Sequence, residues 1–126
     1  MAFLTREELI KLIDNANEKL DLQGVYLSSV DLSNLWLSNA NLEGANLSCT
    51  NLRGAHLEGA NLEGANLEGI NFEGAVLKSS NLKFANLEGA DLRNRNLSQA
   101  NLRGANLTGA DLTGANLAFS NLILAE

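Results

Sequence analysis

Proline is absent from this chain of 126 residues, cysteine, histidine, tryptophan and tyrosine occur once each, and aromatic residues make up only 5%. A lone thiol, Cys49, excludes an internal disulfide and fits a reducing compartment, so a cytoplasmic address is expected. One histidine, His56, leaves no Cys/His or Ser/His/Asp set to build in a supporting cleft, and tetrahedral zinc wants several Cys and His together. No enzymatic activity, metal or cofactor is therefore expected. Basic residues are also scarce, 9 against 15 acidic, for a net charge of −6 and a pI near 4.7. That balance excludes the basic surface that direct binding to nucleic acid requires. No uncharged apolar run approaches the length of a membrane span, and MAFLTREELIKL reaches Glu7 and Glu8 before any apolar segment, unlike a secretory signal. Neither membrane insertion nor export is expected.

With few aromatics the core must be aliphatic, and the chain supplies leucine and alanine in a strict order. Residues 5 to about 19 read as a helix. Thr5 as N-cap and Glu8 three residues later form a capping box, Leu4 and Leu9 suit a hydrophobic staple, and Leu9, Leu12, Ile13, Ala16 and Leu20 share one face. From Leu22 to Leu122 a central apolar residue then recurs every five positions, 21 times, and only Phe72 is not leucine. Two residues before each centre stands a mostly small residue, and one before it usually Asn or Asp. All 11 glycines lie two after a centre.

A period of five fits neither regular element. On a helix the leucines would wind around every side, and on a continuous strand an odd step would send them to alternate faces. What remains is a short extended piece followed by a corner, repeated. The small residue and the leucine point inward, Asn or Asp points outward between them, and the next two residues turn the chain, glycine supplying positive φ at the second. A solenoid results, with stacked coils satisfying one another's backbone groups.

The run of units ANLEG, ADLRN, ANLTG and ADLTG resembles the pentapeptide repeat family over roughly residues 20–126. The resemblance implies an all-β solenoid, a right-handed quadrilateral β-helix of four pentapeptides per coil. Here that means about five coils (20–126) behind an N-terminal α-helical cap (1–19), one domain overall. It implies a family abundant in cyanobacteria, with some members that mimic DNA and modulate DNA gyrase. Charge spacing leaves the coil length open, because steps of 20 and of 15 both bring together like and opposite pairs. The small inward site holds Leu20, Val25, Val30 and Leu35 before settling to Ala40 and Ala45, as a wider first coil would that accepts the helix as its lid.

Several features bear on function. The Asn positions, such as Asn41, Asn61 and Asn81, are expected to ladder along a face through bonds to local backbone and to each other. Trp36, His56 and Val76 line up on one face with Tyr26 on the adjoining one; the aromatics either pack near the helix or present a partner surface. Arg95 occupies a small inward site, where an unpaired guanidinium would be very costly, so it should turn outward and bulge the wall; Arg93 and Arg103 would add to a basic spot. Phe119, Ile123 and Leu124 put apolar groups on the last corners, either sealing the final coil or pairing end to end with a second copy. Duplex DNA carries a charge every 1.7 Å or so, which asks a mimic for nearly three net negatives per coil of about 4.8 Å. From residue 20 onward 11 acidic and 6 basic residues give only about one. The leading expectation is a non-catalytic interaction or structural module binding another protein; modulation of gyrase is the alternative.

Overall fold

The computed structural model describes residues 3–16 and 19–126. Helix α1, Arg6–Asn15, begins as its sequence dictates. Thr5 Oγ1 accepts from Glu8 N–H at 3.1 Å and Glu8 Oε1 accepts from Thr5 N–H at 3.4 Å. It ends sooner than the expected residue 19, since Ala16 is already extended (φ −73°, ψ 114°) and positions 17 and 18 lie outside the described residues. Asp14 and Asn15 are poor helix formers whose side chains compete for backbone bonds, and no cation supports the last turn. The buried face also differs from the expected one. Leu9 is buried, with Ile10 and Ile13 partly so, while Leu12 is 43% exposed and Ala16 is exposed.

Beyond the helix the chain repeats one five-residue device. In the unit Ala40–Gly44 every backbone N–H finds a partner. Ala40 donates to Leu37 O (3.1 Å), Asn41 to Leu20 O (2.8 Å), Leu42 to Asn61 O (2.7 Å) and Gly44 to Glu63 O (2.8 Å). Glu43 N–H, which no carbonyl reaches, donates to Asn41 Oδ1 at 3.2 Å. Nothing is left over, and this is why Asn or Asp recurs at that position. Parallel bridges link residues 20 apart, as in the unbroken column Asp21, Asn41, Asn61, Asn81, Asn101 and Asn121, so four units complete one circuit. Each pairing is a single residue long because the next two turn the corner.

The corner is a turn closed by a bond from three residues on, Ala45 N–H to Leu42 O at 3.0 Å. Its second position has positive φ in every unit, at 11 glycines and at ten other residues, including Phe84, Phe119 and Leu124. Inside, the leucines from Leu22 to Leu102 and Phe72 are buried with the small residues between them, and Leu9 of α1 belongs to the same cluster. Val25 and Leu35 are buried in the first coil, and Leu20 and Val30 pack against the cluster that includes Leu9. Each such side chain contributes roughly 1.5–3 kcal/mol relative to exposure.

Two tethers fix α1 to the coil. Arg6 donates to the carbonyls of Asp31 (2.7 Å) and Ser33 (3.1 Å), and Phe3 forms a parallel bridge with Tyr26, their rings 5.4 Å apart.

Candidate functional site

The four outward columns differ in what they carry. At the position before each centre, 17 of 21 units hold Asn or Asp, and in all 17 its Oδ1 accepts the N–H two residues on, between 2.9 and 3.2 Å. Amides also join along the stack, Asn61 Nδ2 to Asn41 Oδ1 at 3.3 Å and Asn81 Nδ2 to Asn61 Oδ1 at 3.1 Å, as expected of ladders. The exceptions are Tyr26, Trp36, His56 and Val76. Three of these four stand in one column, bridged Trp36 to His56 to Val76.

Each exception forgoes a backbone bond that its neighbours make. In exchange the column presents flat apolar surface. Trp36 is 66% exposed, and its ring stacks on that of His56 with centroids 3.7 Å apart and planes 4° from parallel. The ring that Trp36 meets is thus the one a circuit on. Tyr26 does pack at the N-terminal end, against Phe3. Glu58 borders the stack, its Oε1 3.9 Å from His56 Nδ1 and its Oε2 accepting from Ser38 Oγ at 2.9 Å.

The same face is interrupted farther along. Arg95 does turn out of the core: its Nε donates to Arg93 O (3.1 Å) and its Nη1 to Ala75 O (3.3 Å). Among the described residues the bonds expected here by the repeat, from Gly74 to Arg93 O, from Asn96 to Ala75 O and from Leu77 to Asn96 O, are not made, and no bridge joins Val76 to Asn96. The guanidinium takes the place of a backbone donor. A second gap, between Asn51 and Asn71, lies beside Ile70 and Phe72, which are buried where the repeat usually has Ala and Leu.

An open cleft of about 400 Å³ at the Arg95 gap is lined by Glu73, Asp91, Arg93, Asn94 and Arg95. Three of its four charged residues sit in ion pairs, and Arg95 is held by backbone carbonyls. Arg53 pairs with Glu73, and Arg93 binds Asp91 through Nε and Nη2 at 2.8 Å each, with Asp111 at 3.9 Å. The Arg93 guanidinium holds the Asp91 carboxyl well below the usual carboxylate range, at about 2, and Asp91 in turn raises Arg93. Bonds from the Thr113 hydroxyl and backbone lower Asp111, and those from Ser33 lower Asp31. Arg93 and Arg95 thus serve the wall, and Arg103 does not join them in lining the cleft.

At the far end, Phe119 is 92% exposed and Ile123 and Leu124 are exposed as well, so these residues do not seal the last coil. As corner residues they point away from the axis, and Leu107, Leu112 and Leu117 are only partly covered. Among the described residues no group of His, Cys, Asp and Glu is placed to hold a metal ion, and no helix is long and apolar enough to cross a membrane.

A stack of five-residue units with a leucine interior defines a repeat solenoid. The sequence model for pentapeptide repeats matches residues 26–64, 55–94 and 96–125, in 8 copies, and the chain belongs to that family. It is similar to Rfr23, a pentapeptide repeat protein from the cyanobacterium Cyanothece 51142, with 33% identity, coverage of 85% of this chain and 84% of the other, and a TM-score of 0.79. HetL, a pentapeptide repeat protein involved in heterocyst differentiation regulation from the cyanobacterium Nostoc sp. strain PCC 7120, is 33% identical over 86% of this chain and 62% of its own, with a TM-score of 0.33. QnrB1, a plasmid-mediated fluoroquinolone resistance protein, is 16% identical over 99% of this chain and 81% of its own, with a TM-score of 0.42. Among curated proteins none matches.

Proposed function

We propose that this chain is a non-catalytic docking module of the cytoplasm, a right-handed quadrilateral β-helix of about five coils capped by α1, which binds another protein through the Trp36, His56 and Val76 face. One observation carries the reading: three of the four departures from Asn or Asp fall in a single column, where each gives up a turn bond and Trp36 is left 66% exposed on its stack with His56. A purely structural wall has no use for that exchange, whereas large exposed aromatics are favoured anchors at protein interfaces. Tyr26 belongs to the junction with the N-terminal segment, and Arg93 and Arg95 to the wall. The exposed Phe119, Ile123 and Leu124 are compatible with end-to-end contact with a second copy. Gyrase modulation by DNA mimicry is disfavoured by a coil carrying about one net negative charge where a duplex would carry nearly three.

The test uses substitutions that repair the fold while removing the surface. Trp36→Asn with His56→Asn restores the missing acceptors, so the double variant should melt no lower than the parent. A protein captured by the parent from a lysate of its native host should be lost with this variant. Capture of the same proteins by both removes the proposal.

A further inference from the structure

The corner column that runs through residues 43, 63, 83 and 103 reads Glu, Glu, Lys, Arg. Successive members are one coil apart, so like charges sit beside like at both ends, an arrangement that opposes stability unless something neutralises it. Among the described residues none of these four side chains takes part in an ion pair. Lys83 instead lies over the ring of Phe84, 5.2 Å from its centroid.

The order has a symmetry. Reversed end for end, the column presents Arg, Lys, Glu, Glu, the complement of itself. A twofold axis perpendicular to the rod, between the coils of residues 63 and 83, places Glu63 opposite Lys83 and Glu43 opposite Arg103 of a second copy, and repeats both pairs. The neighbouring corner column obeys the same axis in shape. It reads Gly24, Gly44, Gly64, Phe84, Gly104, Leu124. Among the described residues a Cβ built on any of the first three meets nothing within 4 Å, whereas one on Gly104 would meet the Phe84 ring. Phe84 is 54% and Leu124 70% exposed, and both hold positive φ, a conformation disfavoured for bulky side chains. The axis sets Phe84 against Gly64 and Leu124 against Gly24 of the second copy. The Phe84 ring lies along its own column over Gly104, so what it offers the second copy is its exposed side; that side and Leu124 meet glycines, and acids meet bases.

We infer that this corner is an isologous interface through which two copies associate side by side and antiparallel. The occupant is a second copy because one operation satisfies charge and shape together; an unrelated partner would have to match both by coincidence. The interface is a narrow strip, so the dimer should be weak and salt-sensitive. It lies away from the Trp36 and His56 face, which borders other corners, and leaves that face free.

Sedimentation velocity of the whole chain at low salt and rising concentration tests this. The expected mass is twice that of the 13.4 kDa chain, returning to monomer in molar salt. Glu63→Lys or Lys83→Glu alone sets like charges in contact twice per dimer and should weaken association by roughly a hundredfold. The two together exchange the signs and should restore it. Melting curves that match the parent's separate loss of association from loss of folding. Phe119→Ser, on a different corner, should leave the dimer intact. A parent monomeric throughout, a dimer indifferent to either single reversal, failure of the exchanged pair to restore association, or a dimer abolished by Phe119→Ser would each overturn the inference.

Discussion

Arg95 Nη1 donates to the carbonyl of Ala75 at 3.3 Å, the acceptor that Asn96 N–H reaches wherever the repeat is regular. A side chain has replaced a rung of the ladder. Arg95→Ala puts the usual small residue at the inward site and frees Ala75 O for Asn96. The variant should be more stable by about 0.5–2 kcal/mol, read as a melting rise of several degrees, with slower hydrogen exchange at Asn96 and Leu77. A lower melting temperature would mean that the guanidinium supports the wall more than its gap weakens it.

Ser80 is buried at another small inward site, and its Oγ has no hydrogen-bond partner among the described residues. Thr50, by contrast, donates its hydroxyl to Leu47 O at 2.8 Å. Ser80→Ala removes an unpaired polar atom without leaving a large hole and should stabilise by about 1 kcal/mol in urea unfolding. Thr50→Ala should not stabilise; equal gains at both sites would refute the distinction.

Phe119 exposes nearly all of its side chain from a backbone with φ 59°. Glycine adopts that conformation without strain, though it also loosens the unfolded chain, so Phe119→Gly should gain a few tenths to about 1 kcal/mol. A clear loss of stability would show that the ring makes contacts worth more than the backbone strain.

The fold should weaken in acid through one cluster above others. Asp91 ionises in the folded protein at about 2 against an ordinary 3.8, and Asp31 and Asp111 are lowered as well. Groups whose folded value is depressed lend stability above the unfolded value and lose it as pH falls through the folded one, so melting temperature should drop between about pH 4 and pH 2. Asp91→Asn should flatten that drop. An unchanged acid slope would argue that the pair with Arg93 contributes nothing in solution, as exposed pairs often do not.

Leu9 and Leu12 separate the two faces of α1. Leu9→Ala should cost about 2–5 kcal/mol and Leu12→Ala well under 1 kcal/mol, by chemical denaturation. Equal effects would mean that the helix docks by another face.

The interior was legible from Leu22 to Leu102 because a period of five admits few backbones. Past it the same period continues, but with no further coil to cover them Leu107 to Leu117 are only partly buried and Leu122 is exposed. The start of α1 was legible for a local reason, its capping box. Its end and its buried face were not: Asp14 and Asn15 stop the helix, and the coil it docks on decides between Ile10 and Leu12. Coil length escaped the charge pattern because Arg93 chooses Asp91, two residues away, over Glu73, twenty away. The stack of Trp36 on His56 was half legible. Alignment in a column follows from the period, but ring contact depends on the spacing of coils, which no short stretch records. The run of Asn and Asp acceptors could have singled out that column earlier, since its gaps are countable in the sequence.

The uniform unit has a consequence for how such chains change. Duplicating or deleting five residues keeps every downstream leucine inside, yet shifts each later outward residue onto the adjoining side of the rod. Arg53 would lose Glu73 and Trp36 would lose His56 while the interior went on unaltered. Lineages of this kind can therefore reshuffle their exterior in quarter turns, and only changes of twenty residues keep every outward column in register.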